Sequence, residues 1–150
     1  MDKIVSFEGI GYVAATFPVD STTQTYLKTN CTNPQTGNVD INGKKLAVKL
    51  GTDGTVGFGA ASPTAADALL GIIVAYEMDG FASVQIAGGV DEVPTKEAIT
   101  SGIKQVVVNN KGQMEVLADT VATSTLTKGG KEVRIVKPSV SDNLFASIIL

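Results

Sequence analysis

The hydrophobic pattern of the chain is clearest in residues 68–94, which read ALLGIIVAYEMDGFASVQIAGGVDEVP. Two short runs rich in apolar and β-branched residues, 69–77 and 81–87, flank an Asp79-Gly80 step. Strand-like runs on either side of Asp-Gly are typical of a β-hairpin, because both central residues of a type I′ turn need positive φ. This segment therefore predicts a pair of antiparallel strands.

A two-residue turn fixes the pairing expected within this hairpin. Ala75 would face Val84 and Ile73 would face Ile86, because opposite residues are counted outward from the turn. The first strand of the pair is apolar on both faces, which predicts a central strand of a sandwich or barrel.

Similar short runs, separated by turn residues, continue along the whole chain. The predicted strands are residues 3–7, 12–17, 23–29, 39–41, 45–50, 69–77, 81–87, 105–109, 113–117, 119–124, 132–136 and 144–150. Asn42-Gly43 and the Gly112 of an Asn-Lys-Gly step predict two further hairpins. Residues 51–67 are rich in Gly and Ala and predict a long connection around a short strand, and the C-terminal run is expected to be paired into a sheet.

Helix signals are poor, and one helical turn over residues 96–101, capped by Thr95, is the only one predicted. We identify no internal repeat. Ten to twelve short strands with three hairpin turns predict an all-β fold, a compact β-sandwich or β-barrel-like single domain with several hairpins and at most one short helix.

The length of 150 residues fits one domain with its own core. We expect residues 18–150 to form this single β domain. Residues 1–17 are predicted to be either an N-terminal arm, which adds a strand to the open sheet edge of another protein, or an internal edge strand. The residues leave these two alternatives open.

Charge and composition point to protein interfaces rather than to nucleic acid or membranes. Twelve basic and fifteen acidic residues give a net charge of -3, and the lysines at 44, 45 and 49 are expected to be a solvated strand edge rather than a basic patch. Only 18% of residues are charged, against about 25% in ordinary domains. Apolar groups are therefore expected on the surface, as in proteins that bind other proteins, unless Thr, Ser, Asn and Gln cover it.

No secretory signal or membrane-spanning segment is recognisable in the sequence, so we expect a soluble protein that is made in a cytoplasm.

Reactive side chains are scarce. The chain has no histidine and one cysteine, which removes the usual general base and any internal disulfide. The acidic pairs Asp91-Glu92 and Glu77-Asp79 adjoin turns, where carboxylates normally solvate a strand end rather than form a glycosidase or calcium site. We therefore predict no enzyme activity, no cofactor and no metal.

The aromatic side chains admit two interpretations, a sugar-binding platform or core packing. The second is favoured because the chain has no tryptophan and only 5% aromatic residues. The residues concerned are Tyr12, Phe17, Tyr26, Tyr76 and Phe81.

Residues 67–150 resemble the small head decoration (capsid cement) proteins of tailed bacteriophages. The resemblance rests on an order of strands and turns: a GI strand, a turn and VQIAG, then EVP, AITSG, a hairpin ending in NNKGQM, and the closing strand NLFASIIL. It implies a compact β-barrel-like fold on the exterior of the virion, assembled in the host cytoplasm as a homotrimer at three-fold positions. The major capsid protein would be the partner, and neighbouring subunits would be clamped after the shell expands.

On this interpretation the candidate capsid contacts are the apolar residues of the arm, Ile4, Val5, Phe7, Ile10 and Tyr12. The alternative function is a carbohydrate-binding or adhesive β-module of a phage fibre or cell surface. It predicts exposed aromatic side chains and affinity for glycans.

Overall fold

The structure is a computed structural model that describes residues 11–41, 44–77, 79–117 and 130–150. It confirms the all-β prediction, with ten strands, one α-helix and one 3₁₀ turn in the described part of the chain. The first five strands and the helices are β1 (Val13–Pro18), α1 (Ser21–Asn30), β2 (Leu46–Leu50), β3 (Val56–Gly57), the 3₁₀ turn (Ala65–Asp67), β4 (Leu69–Tyr76) and β5 (Phe81–Ala87). The remaining strands are β6 (Gly89–Pro94), β7 (Gly102–Val108), β8 (Met114–Val116), β9 (Lys131–Lys137) and β10 (Phe145–Ile149).

The strands form two antiparallel sheets, one of which is curled into a half-barrel. The first has the order β1-β5-β4-β2-β3 and the second the order β6-β10-β9-β7-β8. In the first sheet Val19, just after β1, forms a parallel bridge with Val56 of β3. In the second, Thr95, just after β6, forms a parallel bridge with Met114 of β8. The first and last strands of each sheet therefore meet at one end.

These two strand orders are the same topology repeated. If the strands of each sheet are counted from one to five along the chain, both sheets have the order 1-5-4-2-3. We call residues 13–87 the first half and residues 89–149 the second half. The expectation of no internal repeat is therefore wrong at the level of the fold.

Equivalent turns support this correspondence. The loops at 51–55 and 109–113 both have five residues, with Gly54 (φ 82°) and Gly112 (φ 71°) at the fourth position. The first N–H of each loop donates to the last carbonyl, at 2.7 Å in the first half and 3.1 Å in the second. Both glycines are needed because φ is positive there.

The last two strands of each half also correspond residue by residue. Ile73 pairs with Val84, as Ile135 pairs with Ile148, and in both halves a register shift follows the isoleucine. Both final strands begin with Phe-Ala-Ser, at 81–83 and 145–147. The phenylalanine lies opposite a proline in each case, Phe81 opposite Pro18 and Phe145 opposite Pro94. We call these two pairs the Phe–Pro steps.

The two halves differ most between their first and second strands. In the first half, residues 19–45 include α1, whereas in the second only residues 95–101 make the connection. The prediction of a strand at 23–29 is wrong because Asp20 caps a helix there, accepting the Thr23 N–H at 2.7 Å. The helix buries Leu27 in the core of the first half.

Two other local predictions are wrong. Residues 39–41 do not pair with β2, because Val39 bridges to Thr32 while β2 pairs with β3 and β4. The predicted turn at Asn42-Gly43 lies outside the described residues. Residues 96–101 form no helical turn, because Thr95 is buried and its hydroxyl donates to Ser139 at 3.0 Å.

The β4–β5 hairpin is confirmed, and β4 is the central strand of its sheet, but its register differs from the prediction. Three residues separate Glu77 from Phe81, and the Glu77 N–H donates to the Phe81 carbonyl at 2.7 Å. Ile73 therefore faces Val84, and Ala75 faces Ser83. The hairpin at Gly112, the strands at 12–17 and 132–136 and the paired C-terminal strand are also confirmed.

Two hydrophobic cores lie in the molecule. One fills the curl of the first sheet under α1 and belongs to the first half alone. The other fills the second sheet and also includes Ala47, Leu69 and Ile72, which point outward from the first sheet. Because this second core is shared, the halves pack against each other through buried apolar side chains.

Backbone hydrogen bonds reinforce the contact between the halves. The Ala47 N–H donates to the Gly112 carbonyl at 2.8 Å, and the Gly59 N–H donates to the Asn109 carbonyl at 3.0 Å. The β7–β8 hairpin of the second half is thus docked on the first half.

Candidate protein-binding surface

Large apolar side chains lie exposed in both halves of the described structure. They are Tyr12, Val13, Leu50, Phe81, Ile103, Val116, Val140 and Phe145. Exposed apolar groups of this size are typical of surfaces that bind other proteins. Three places carry enough local structure to be analysed as sites: the two Phe–Pro steps and the outer edge of β1.

The two Phe–Pro steps stand out when the halves are compared. Most features that the halves share have a structural reason: Ala82 and Ala146 are fully buried, and Gly54 and Gly112 have positive φ. Full burial does not explain the shared phenylalanines, because Phe81 is 39% exposed and Phe145 is 43% exposed. An aromatic ring kept at both equivalent surface positions is a candidate binding residue.

Phe81 belongs to an acidic hairpin tip, which we define as Glu77, Asp79, Gly80 and Phe81. Glu77 and Asp79 are both exposed, and the Asp79 carboxylate accepts the Phe81 N–H at 3.3 Å. Burial and the nearby Asp79 charge raise the pKa of Tyr76, which supports the base of the tip. The tip therefore presents one aromatic ring beside two carboxylates.

Phe145 lies in a groove of about 390 Å³ between the halves, which we call the inter-half groove. Its apolar lining consists of Tyr26, Leu46, Pro94 and Phe145. The Tyr26 ring packs edge-on against Phe58, with ring centroids 5.0 Å apart. Burial, with a smaller contribution from Cys31, raises the pKa of Tyr26 and favours its neutral form.

The rim of the inter-half groove is basic. Lys44, Lys45 and Lys111 line it, and its one acidic residue, Glu92, is paired with Lys137 at 3.0 Å. Lys45 is anchored by a 2.6 Å hydrogen bond to the Asp91 carbonyl. The groove can therefore hold an apolar group that is accompanied by negative charge.

The predicted N-terminal contact residues fall mostly outside the described chain. Ile4, Val5, Phe7 and Ile10 lie outside the described residues, and Tyr12 is 62% exposed next to Val13, which is 49% exposed. From Val13 to Pro18, β1 pairs with β5 and with no other described strand. Its outer edge therefore offers backbone N–H and C=O groups to a further strand.

Core packing, the interpretation favoured for the aromatic residues, holds for three of the five that the sequence singled out. Tyr12 and Phe81 are exposed, whereas Phe17, Tyr26 and Tyr76 pack against the core of the first half. The aromatic side chains are thus divided between surface and core.

The acidic and basic clusters singled out in the sequence are bound within the protein in several cases. Asp91 accepts a hydrogen bond from the Ser147 hydroxyl at 2.8 Å, and Lys49 pairs with Asp67 at 2.7 Å. Lys44 is the one exposed member of the predicted lysine edge. Among the described residues, no group of three or more His, Cys, Asp or Glu side chains could hold a metal ion.

Sequence reasoning missed Phe145, Lys111 and the inter-half groove. The signal that could have found Phe145 was the second Phe-Ala-Ser, which repeats residues 81–83. The groove itself has no local signal, because its two walls come from different halves.

Comparison with known proteins identifies no relative: no family model matches the chain, and no curated protein or solved structure is significantly similar to it. None of the helices in the described ranges is long and apolar enough to cross a membrane.

Proposed function

We propose that this protein is a bacteriophage capsid decoration protein, which binds the outside of the assembled shell and stabilises it by bridging neighbouring major capsid subunits. The resemblance of residues 67–150 to head decoration proteins motivates this proposal. The observation that carries it is the outer edge of β1, where the open strand coincides with exposed Tyr12 and Val13.

An open strand edge and exposed apolar side chains suit the binding of a protein that presents a sheet edge of its own. Main-chain hydrogen bonds supply affinity in this mode, and alternate side chains such as Tyr12 supply specificity. The shared core packs the two halves against each other, so we expect little conformational entropy to be lost on binding.

The repeated subunits of a shell would increase the overall strength of binding. Many copies bound side by side to one particle gain avidity, so each contact can be modest. On this proposal the protein acts by adhesion, on the virion exterior, after assembly in the host cytoplasm as a trimer.

Cosedimentation with expanded shells of the parent phage tests the proposal. The wild type should coat shells, and Tyr12→Ser combined with Val13→Ser should weaken binding by about tenfold or more, because truncated aromatic anchors typically cost at least 1–2 kcal/mol. Ile103→Ser is the matched control, since Ile103 is also 62% exposed but lies on β7. A wild type that does not bind shells refutes the function; if it binds glycans instead, the carbohydrate-binding alternative takes its place.

Deletion of residues 1–8 tests the arm separately. A folded protein that no longer coats shells would support an arm that binds the capsid. Coating at full strength by the truncated protein would exclude it.

A further inference from the structure

The two Phe–Pro steps occupy equivalent positions but have surroundings of opposite charge. Phe81 lies beside Glu77 and Asp79 on a hairpin turn, whereas Phe145 lies in a groove with Lys44 and Lys111 on its rim. Within the described chain none of these four charged side chains forms an ion pair. The carboxylates beside Phe81 and the lysines around Phe145 are therefore complementary in charge.

We propose that the inter-half groove of one molecule binds the hairpin tip of a second copy, so that the protein associates head to tail with itself. The Phe81 ring would enter the groove between Tyr26, Pro94 and Phe145. Glu77 and Asp79 would approach the lysines on the rim. This inference does not depend on shell binding.

The hydrogen bonds of the tip and the size of the groove agree with this assignment. The tip is held by two hydrogen bonds between residues 77, 79 and 81, which limits the conformational freedom that is lost on binding. The groove volume of about 390 Å³ lies within the roughly 300–1,000 Å³ of typical ligand sites. The tip does not line the groove of its own molecule, so a second molecule must supply it.

A contact between two different surfaces of the same chain has a consequence for assembly. Such a heterologous contact makes a closed ring if the rotation between copies closes and an open filament if it does not. One anchoring ring and two charges form a small interface, so a single contact should be weak. In a ring each molecule is held at both its tip and its groove, which strengthens the whole.

The association can be measured by sedimentation velocity and light scattering over a range of protein concentrations. We expect the wild type to be larger than a monomer as concentration rises, and to dissociate as salt screens the charges. A wild type that remains monomeric up to its solubility limit overturns the proposal. The proposal is also overturned if the groove binds an added acidic aromatic peptide while the protein itself stays monomeric.

Charge reversal tests the surfaces themselves. Lys44→Glu with Lys111→Glu, or Glu77→Lys with Asp79→Lys, should each weaken association by about tenfold or more, because like charges would then meet. All four side chains are exposed, so circular dichroism should be unchanged. Thermal unfolding should change little, since the only hydrogen bond lost is the one that the Asp79 carboxylate accepts from the Phe81 N–H.

Mixing the two double variants gives the most specific result. The reversed groove of one then meets the reversed tip of the other, and the native groove meets the native tip, so the mixture should associate again. No recovery in the mixture would contradict the pairing of tip and groove.

Controls of equal charge change separate this pairing from net charge. Lys131→Glu with Arg134→Glu matches the groove variant, and Glu132→Lys with Asp142→Lys matches the tip variant. These four residues are exposed and lie outside the groove and the tip. A loss of association in the controls as large as in the test variants would overturn the proposal.

Discussion

The first strands of the two halves follow the same plan but have different surroundings. In β6, Val90 and Val93 are buried and the Asp91 carbonyl is bound by Lys45. In β1, the equivalent strand, Phe17 and Ala15 hold the positions of Val93 and Val90 but are only half-buried, and the outer edge has no described partner. A single topology can thus cover its first strand to different extents, although in both sheets this strand pairs with one other strand only.

The cause of this difference is the connection that follows β1. Residues 19–45 reach from the first half to β6 of the second, where they contribute Tyr26, Lys44 and Lys45 to the inter-half groove. The equivalent connection in the second half, residues 95–101, is far shorter and lies against Ser139 instead. The first half therefore covers part of the second, whereas the outer edge of β1 has no described partner.

The largest expected effect comes from equivalent interior positions. Ile73→Ala and Ile135→Ala should each lower the free energy of unfolding by about 2–5 kcal/mol, because both side chains are buried and their loss leaves a cavity. Since a shared core joins the halves, both substitutions should shift one common transition in urea, followed by circular dichroism. Two transitions, each sensitive to only one substitution, would show that the halves unfold independently. Ile103→Ala, at an exposed site, should change stability by less than about 0.5 kcal/mol.

A smaller effect is expected where the halves touch. A Cβ on Gly59 would lie 1.9 Å from the Val108 carbonyl oxygen. Gly59→Ala should therefore force the β7–β8 hairpin away from the first half and cost about 1–3 kcal/mol in thermal or urea unfolding. Gly11→Ala is the control, since a Cβ there meets no atom within 4 Å. Equal stability of the two variants would contradict the close approach of the halves at Gly59.

The smallest effect concerns an ion pair that one half has and the other lacks. Lys49 of β2 pairs with Asp67, whereas the equivalent residue of β7 is the buried Val107. Burial alone would raise the pKa of Asp67, but Lys49 and backbone N–H groups, including that of Thr64, outweigh it, so the pKa is lowered. Asp67→Asn should cost about 1–2 kcal/mol at neutral pH.

The pH dependence of this variant follows from the lowered pKa. Folding stabilised by the Asp67 carboxylate is fully present above the unfolded pKa of about 4 and is lost as pH falls through the folded value. The stabilities of wild type and Asp67→Asn, measured by urea unfolding, should therefore converge in acid. A difference that stays constant down to low pH would contradict this role, and Asp142→Asn, at an exposed position, serves as the control.

Local signals were sufficient for much of the sheet structure. The alternation around Asp79-Gly80 and the glycine at 112 predicted two hairpins that the structure contains. They failed where the environment outweighs propensity. The threonine-rich residues 21–30 form a helix because Asp20 caps it and Leu27 fills the first core.

The candidate sites were less predictable than the strands. Of the predicted contact residues, Tyr12 alone lies in the described chain, and its exposure agrees with a surface role. Phe145 could have been predicted from the sequence, because Phe-Ala-Ser occurs at both 81–83 and 145–147. The connection after the first strand differs in length between the halves, so equivalent residues are not separated by a constant number of positions. A search of the sequence for a fixed period therefore misses the duplication.

The sequence by itself determined the class of fold, because alternating apolar residues and turn glycines act over a few neighbouring positions. It also led to the prediction of adhesion rather than catalysis, since histidine is absent and charged residues are few, and the experiments above test that prediction. Only the tertiary structure decided which strand edge stays open and that lysines surround the apolar lining of the inter-half groove. It also decided that the two halves share one topology. Those properties depend on residues far apart in the chain, which come together only when the two halves pack around their common core.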